Sequence, residues 1–405
     1  MVALALPGGI GRVLALRGPC LYLAGNLQSN ACTWASRTAF AWLTWELTHS
    51  STWLGMMVAA EMLPMVLLAP AGGSTVDRYG ALRCTIISQA ALGAAALVLA
   101  AVTYAGLVNA YVLLAFAFLQ GSVLPLNNPS HLALIGKIVP SSELRPAVAL
   151  QSAIVQTSRF IGPALAGLLL TWGGAGSVFL LNGLSFFFFL IFLARIQTIE
   201  SDAPRKSARG LTSDFMEALR YARAHQVIGT TIAFSAIYTF LIRSMIELMP
   251  AFADQVFRRG ANGLAWLLAV QGVGSLVSAV LLAAHDGTRP LGKLFTIYAM
   301  ASAVMMAFFV LDPEFWSALV LIALYGFASS NASIVSQTIV QAEVDQAMRA
   351  RVMGMLGLTF RAVPAAGALG MGWICERLGL TWPFVAAACA CLACGPALYT
   401  RLKRA

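Results

Sequence analysis

The chain has 405 residues, of which 59% are apolar and 10% charged, with a mean hydropathy of +0.80. Soluble globular chains carry about 25% charged residues and disordered chains pair low hydrophobicity with high charge, so both classes are excluded. The net charge of +10 does not point to nucleic acid, because the positive residues sit in short loops between continuous apolar runs; a transmembrane barrel would alternate instead.

At about 20 apolar residues per span, the runs predict an all-α membrane protein with twelve transmembrane helices. In chain order they cover about 18–47, 51–76, 82–104, 108–136, 144–172 and 174–195, then about 226–253, 262–284, 291–311, 315–342, 348–375 and 380–400. Arg12 and Arg17 precede a run far longer than the apolar core of a signal peptide, so no cleavable signal is expected. The break between the sixth and seventh spans holds Glu200, Asp202, Arg205, Lys206 and Arg209, then an amphipathic stretch from Leu211 to His225. It divides the chain into an N-terminal six-helix half (1–195), a cytoplasmic linker with an amphipathic helix (196–225) and a C-terminal six-helix half (226–405). Loops on the side of the chain termini carry 19 of the 26 lysines and arginines, against Arg258, Arg259 and Arg377 on the opposite side. The positive-inside rule then places both termini in the cytoplasm.

Four arginines, Arg37, Arg159, Arg243 and Arg361, fall inside spans, and the halves echo one another. Arg37 and Arg243 occupy the first span of each half, and Val139–Pro140 leading to Arg159 parallels Val340–Gln341 leading to Arg361. Such parallel repeats of six spans are one way transporters build a central site.

Ionisable groups inside a bilayer cost about 2.5–3.5 kcal/mol each at a helix centre and so mark candidate functional positions. Arg37 lies nine residues before Glu46 and Glu61 nine after Thr52, each about 14 Å from the same short outer loop. The two are expected to pair, with Glu61 the candidate carrier of a coupled proton; a structural ion pair is the alternative. Arg243 and Glu247 are four apart and are expected to pair along one helix face. Arg159 and Arg361 fall near mid-span with no acid close in sequence, which fits either an aqueous cavity with an anionic cargo group or bonding to helix carbonyls. Asn26, Trp34, Gln120, Tyr238, Gln271 and Asn331, with Tyr22, Gln28, Asn30 and Gln337, are candidate cavity residues; helix-to-helix bonding is the alternative for them. Asn127, Asn128 and Pro129 are expected to break the fourth span, with His131 near its inner end as a structural histidine.

Gly73-Ser-Thr-Val-Asp77-Arg78-Tyr-Gly80, between the second and third spans, resembles the signature loop of the major facilitator superfamily, although Ala81 and Leu82 stand where a basic pair usually follows. The second-half counterpart from Asp286 to Lys293 is degenerate. The chain is most similar to that superfamily's bacterial drug and siderophore exporters through Ala41-Trp-Leu-Thr-Trp-Glu-Leu-Thr-His-Ser50, Val139-Pro-Ser-Ser-Glu-Leu-Arg145, Ser158-Arg-Phe-Ile-Gly-Pro-Ala-Leu-Ala-Gly167, Leu181-Asn-Gly-Leu-Ser-Phe186 and Glu217-Ala-Leu-Arg-Tyr-Ala-Arg-Ala-His225.

The resemblance implies the major facilitator fold, two pseudo-symmetric six-helix halves, in a bacterial inner membrane. It also implies proton-coupled efflux of a drug- or siderophore-like molecule by alternating access. Asp77 and Arg78, with Gly73 and Gly80 allowing a tight turn and close helix approach, become a cytoplasmic gate latch. Gly162, Pro163 and Gly167 resemble the fifth-span antiporter pattern; proline would kink that helix, and it is expected either to face Gly272 and Gly274 along the seam between the halves or to serve ordinary small-residue packing. The family often carries an acid in the first span where Thr33 stands here. An importer, a flippase for lysophospholipid or anionic lipid, and a non-transporting membrane partner of the same fold are the alternative readings.

No Gly-x-x-x-x-Gly-Lys-Ser/Thr loop is present, His49, His131, His225 and His285 are scattered, and Cys389, Cys391 and Cys394 lie in the last span without partner ligands. The expectation is a monomeric, non-enzymatic protein without cofactor or metal, whose partners are a small molecule, protons and the lipid bilayer.

Overall fold

The computed structural model describes residues 9–196, 211–283 and 290–402, and among them every regular element is helical. A chain that must satisfy its own backbone in hydrocarbon does so most simply as helix. A short α1 (Gly9–Ala15) leads into α2 (Arg17–Thr48), α3 (Ser51–Tyr79), α4 (Ala81–Tyr104), α5 (Ala110–Ile138) and α6 (Leu144–Leu193). The amphipathic stretch forms α7 (Leu211–Ala224), followed by α8 (Gln226–Leu241). A 3-10 stretch (Arg243–Leu248), the single turn α9 (Met249–Ala251) and a π stretch (Phe252–Val256) continue α8. Then come α10 (Gly260–Ala283), α11 (Leu291–Leu311), α12 (Phe315–Glu343), α13 (Arg349–Leu378) and α14 (Thr381–Leu402).

Ten segments of the described chain are long and apolar enough to cross a bilayer. One of them, 141–193, contains two helices, because α6 leaves helical geometry at Gly174 (φ 66, ψ −173). The 32-residue α2 is long enough to cross but richer in polar residues.

The break expected in α5 is absent. The backbone of α6 stays helical through Pro163, and α5 runs unbroken with Pro125 and Pro129 inside it. A proline removes one intrahelical bond, and packing absorbs the loss. In α5, Pro129 has no N–H to give the Pro125 carbonyl, and α3 brings Gly72 directly against that carbonyl, where a Cβ would overlap it.

By contact the chain sorts into two compact units: residues 1–40 with 63–208, and 41–62 with 209–405. The first has a core of Tyr22, Leu23, Leu134, Ile135, Ala147, Phe189 and Leu193. In the second, Phe252, Phe257, Phe309 and Phe384 pack with tilted rings around the end of α9. There α10 and α12 cross closely through small residues: Gly274 faces the Ala323 carbonyl and Gly326 faces the Gln271 carbonyl, each without room for a Cβ. Residues 41–62 join this unit through Trp45, whose Nε1 donates to Asp254 Oδ2 at 2.9 Å, and through Ser50 Oγ, which donates to Glu376 Oε2 at 2.9 Å.

Candidate functional site

In the first unit, α2 and α6 bring two guanidinium groups to one indole. Arg37, one turn beyond Trp34 on α2, places its Cζ 5.7 Å from the Trp34 ring centroid, and Arg159 on α6 places its Cζ 5.1 Å from the same ring. Gly162 fixes this arrangement, since a Cβ there would overlap the Trp34 Cβ and crowd the Ala35 nitrogen. Trp34 and Arg37 are half-buried and Arg159 is exposed. An aromatic face attracts each cation by about 0.5–1 kcal/mol in an exposed setting and more when desolvated. One indole thus attracts two cations, and guanidinium groups are suited to a carboxylate, phosphate or catecholate. Thr33, at the position where the resemblance implies an acid, donates to the Ser29 carbonyl at 2.8 Å. Gln120 on α5 is half-buried, as is Glu61 on α3, which sorts with the second unit.

Deeper in the same unit lies a buried polar network that sequence reasoning recognised only in part. Tyr22 Oη lies 2.8 Å and Asn26 Nδ2 3.3 Å from His131 Nδ1, and Gln89 Nε2 lies 2.8 Å from His131 Nε2. Gln89 also donates to Asn127 Oδ1 at 3.1 Å, as does Ser88 at 3.0 Å. Asn26 is 2% exposed and belongs to this helix-to-helix network rather than to a cavity wall. Gln89 was missed; its signal was an amide in the middle of an otherwise apolar span.

The second unit treats its ionisable residues differently. Residues 243–248 form a 3-10 helix, in which residues four apart no longer share a face, so the expected Arg243–Glu247 alignment along an α-helix does not hold. Arg243 instead donates from Nη1 to Ser333 Oγ at 3.1 Å and lies 5.8 Å from the Phe360 ring centroid. Neither partner was anticipated. Tyr238 is 1% exposed and shares a 2.9 Å hydrogen bond with Ser302, while Asn331 is 2% exposed and donates to the Phe327 carbonyl of its own helix. Both serve packing and not a cavity wall. Gln271 donates along α10 to Ser275 at 3.3 Å, Glu247 is half-buried, and Arg361 is exposed on α13.

In the signature loop, Gly80 takes φ 89 and turns α3 into α4 without a linker, a left-handed conformation that favours glycine. The close helix approach falls to Gly72, since Gly73 has open space around its Cα. Asp77 and Arg78 are exposed; Arg78 lies over the Tyr79 ring at 5.4 Å, and Asp77 forms no ion pair among the described residues. Gly162, Pro163 and Gly167 are buried; Gly162 packs on α2 and Gly274 on α12. Asp286 and Arg289 of the degenerate second loop, with His285, lie outside the described residues. No group of three or more His, Cys, Asp or Glu among the described residues could hold a metal ion.

A family model described as transmembrane secretion effector matches residues 20–404. The chain belongs to that family. It is a multi-pass membrane protein and a transporter of the major facilitator type. The multidrug efflux pump Tap of Mycobacterium tuberculosis is 26% identical over 390 residues, covering 92% of this chain and 90% of Tap. The uncharacterized MFS-type transporter YfiS of Bacillus subtilis is 24% identical, covering 92% and 90%, and the enterobactin exporter EntS of Shigella flexneri is 24% identical, covering 80% and 78%. Among solved structures, the nucleoside transporter NupG superposes with a TM-score of 0.73 over 95% of this chain and 99% of NupG at 12% identity, which speaks to the fold alone. Family membership sets the architecture in which the Trp34 cluster stands; it does not choose the cargo.

Proposed function

We propose that this transporter exports a small organic molecule by alternating access, driven by proton entry, from a bacterial cytoplasm on whose side both chain ends lie. Cargo carrying an anionic or zwitterionic group docks at Trp34, Arg37 and Arg159, and Glu61 carries the coupled proton. The observation that carries this reading is the pair of guanidiniums 5.7 Å and 5.1 Å from one indole. Arg159 lies midway between the start of α6 at Leu144 and its break at Gly174, about 22 Å of helix from either. An arginine at such a depth faces water or a polar partner, and a doubly cationic aromatic site suits an anionic group. Export agrees with the efflux pump and exporter named among the relatives.

Detergent-purified protein should be stabilised against heat by enterobactin and not by tetraphenylphosphonium. Occupancy at a hundredfold over Kd corresponds to about 2.7 kcal/mol. The stabilisation should vanish in Arg159→Ala while the melting temperature without ligand stays close to wild type. Stabilisation by the cation alone would overturn the anionic reading.

A further inference from the structure

A second cationic site lies in the other unit, away from the Trp34 cluster. α7 ends at Ala224, His225 passes in extended conformation (φ −102, ψ 109), and α8 starts at Gln226. Gly229 packs against the Ala222 carbonyl with no room for a Cβ, so the first turn of α8 lies tightly on the last turn of α7. Where these turns meet the end of α14, a cavity of about 390 Å³ opens, lined by Arg223, His225, Gln226, Thr230 and Arg401 among others. That volume is at the lower end of the range of about 300–1,000 Å³ that holds small ligands.

Its chemistry is one-sided. No carboxylate lines it, and neither Arg223 nor Arg401 forms an ion pair with a described residue. Two nearby acids are engaged elsewhere, Glu217 with Arg351 Nη1 at 3.0 Å and Asp345 accepting from Tyr221 at 2.9 Å, while Glu343 stands behind the lining His225, 3.8 Å from its Nε2. His225 Nδ1 is buried without a hydrogen-bond partner. The opening turn of α8 adds backbone N–H groups that have no acceptor within the helix and the positive end of its dipole.

Position narrows the ligand. α8 begins and α14 ends at this cavity, so it lies at an edge of the apolar belt, where a phospholipid presents its phosphate. α7 packs Ala218 and Ala222 against Val340, Val344, Val352 and Leu356 at the ends of α12 and α13. Phe215 and Met216 are 42% and 47% exposed while Ala218 and Ala222 are buried, and Arg220 and Arg223 stand on its exposed side.

We propose that this cavity binds the head group of an anionic phospholipid. Arg223 and Arg401 grip the phosphate, with the first turn of α8 and Thr230 donating to it, so that a lipid ties α7 to the ends of α8 and α14. Losing one charge-assisted contact of this kind weakens binding by about tenfold or more.

The test uses the full chain in neutral detergent. Native mass spectra and thermal melts are recorded with dioleoylphosphatidylglycerol, dioleoylphosphatidylcholine, glycerol 3-phosphate or inorganic phosphate. Phosphatidylglycerol should be retained and raise the melting temperature, and phosphatidylcholine should do neither. The combined Arg223→Ala and Arg401→Ala variant should lose affinity for phosphatidylglycerol at least tenfold, whereas Arg12→Ala, on the first unit, should keep it. Equal retention of both lipids by wild type, or unchanged phosphatidylglycerol affinity in the combined variant, would overturn the proposal. So would an equal thermal shift from inorganic phosphate or glycerol 3-phosphate, which would mark a soluble-anion site. If the combined variant fails to fold, Arg401→Gln alone, at the last turn of α14, gives the same comparison.

Discussion

Two adjacent glycines in α3 stand in opposite circumstances. Gly72 is pressed on the Pro125 carbonyl, the acceptor that Pro129 leaves without its helical donor, whereas Gly73 has open space where a Cβ would go. Gly72→Ala forces backbone against backbone and should destabilise the protein by about 1–3 kcal/mol, the usual cost of overpacking. Gly73→Ala should stay within about 0.5 kcal/mol of wild type, as open positions do. Thermal unfolding in one detergent measures both, and equal losses would show that the close approach is not at Gly72. Gly73, Asp77, Arg78 and Gly80 were legible in the chain because the motif is a spaced pattern of residue types. Gly72 was not, because its constraint comes from a carbonyl on another helix. The same holds for Arg243, whose partners Ser333 and Phe360 lie on α12 and α13, and for Asn26 and Tyr238, amphipathic residues that pattern alone could not assign to a cavity wall or a helix contact.

At the scale of elements, the apolar runs located the helices to within a few residues, since bilayer thickness sets their length and polar breaks their ends. The gap between the runs 144–172 and 174–195 falls where α6 breaks, whereas the break expected in α5 at Asn127, Asn128 and Pro129 is absent. The backbone shows that a packed proline leaves the helix standing, while Gly174 adopts φ 66, ψ −173 and separates the two halves of α6. That conformation is open to glycine almost alone. Gly174→Ala should therefore cost about 1–3 kcal/mol although nothing lies near its Cα, while Gly357→Ala, in helical α13 with similar open space, should be neutral or slightly stabilising. Matched melts of the two variants separate a conformational cost from a packing cost. A tolerated Gly174→Ala would mean that α6 can run straight.

Across the whole molecule, the spans hold four arginines against Glu61 and Glu247, and that balance bears on coupling. A proton antiporter needs a group that is empty on one side of the membrane and loaded on the other, and an arginine is protonated at every physiological pH. The duty falls to a carboxyl, and of the two Glu61 lies in the half-buried middle of α3, in the stretch 51–69 that is long and apolar enough to cross. Glu247 sits in the irregular 3-10 turn beyond α8. Glu61→Gln keeps size and hydrogen bonding but holds the site permanently neutral. In inside-out vesicles, wild-type uptake of a probe such as enterobactin should rise when the lumen is acidified. The variant should lose that response while still exchanging internal for external probe down a concentration gradient. Persistence of the pH response in Glu61→Gln would move the proton elsewhere. Loss of exchange together with the response would mean that the side chain is needed for cargo movement itself and would remove the assignment of Glu61 as a dedicated proton carrier. Glu247→Gln, run in parallel, should leave both the response and the exchange intact, because its carboxyl stands outside the path that this assignment gives the proton.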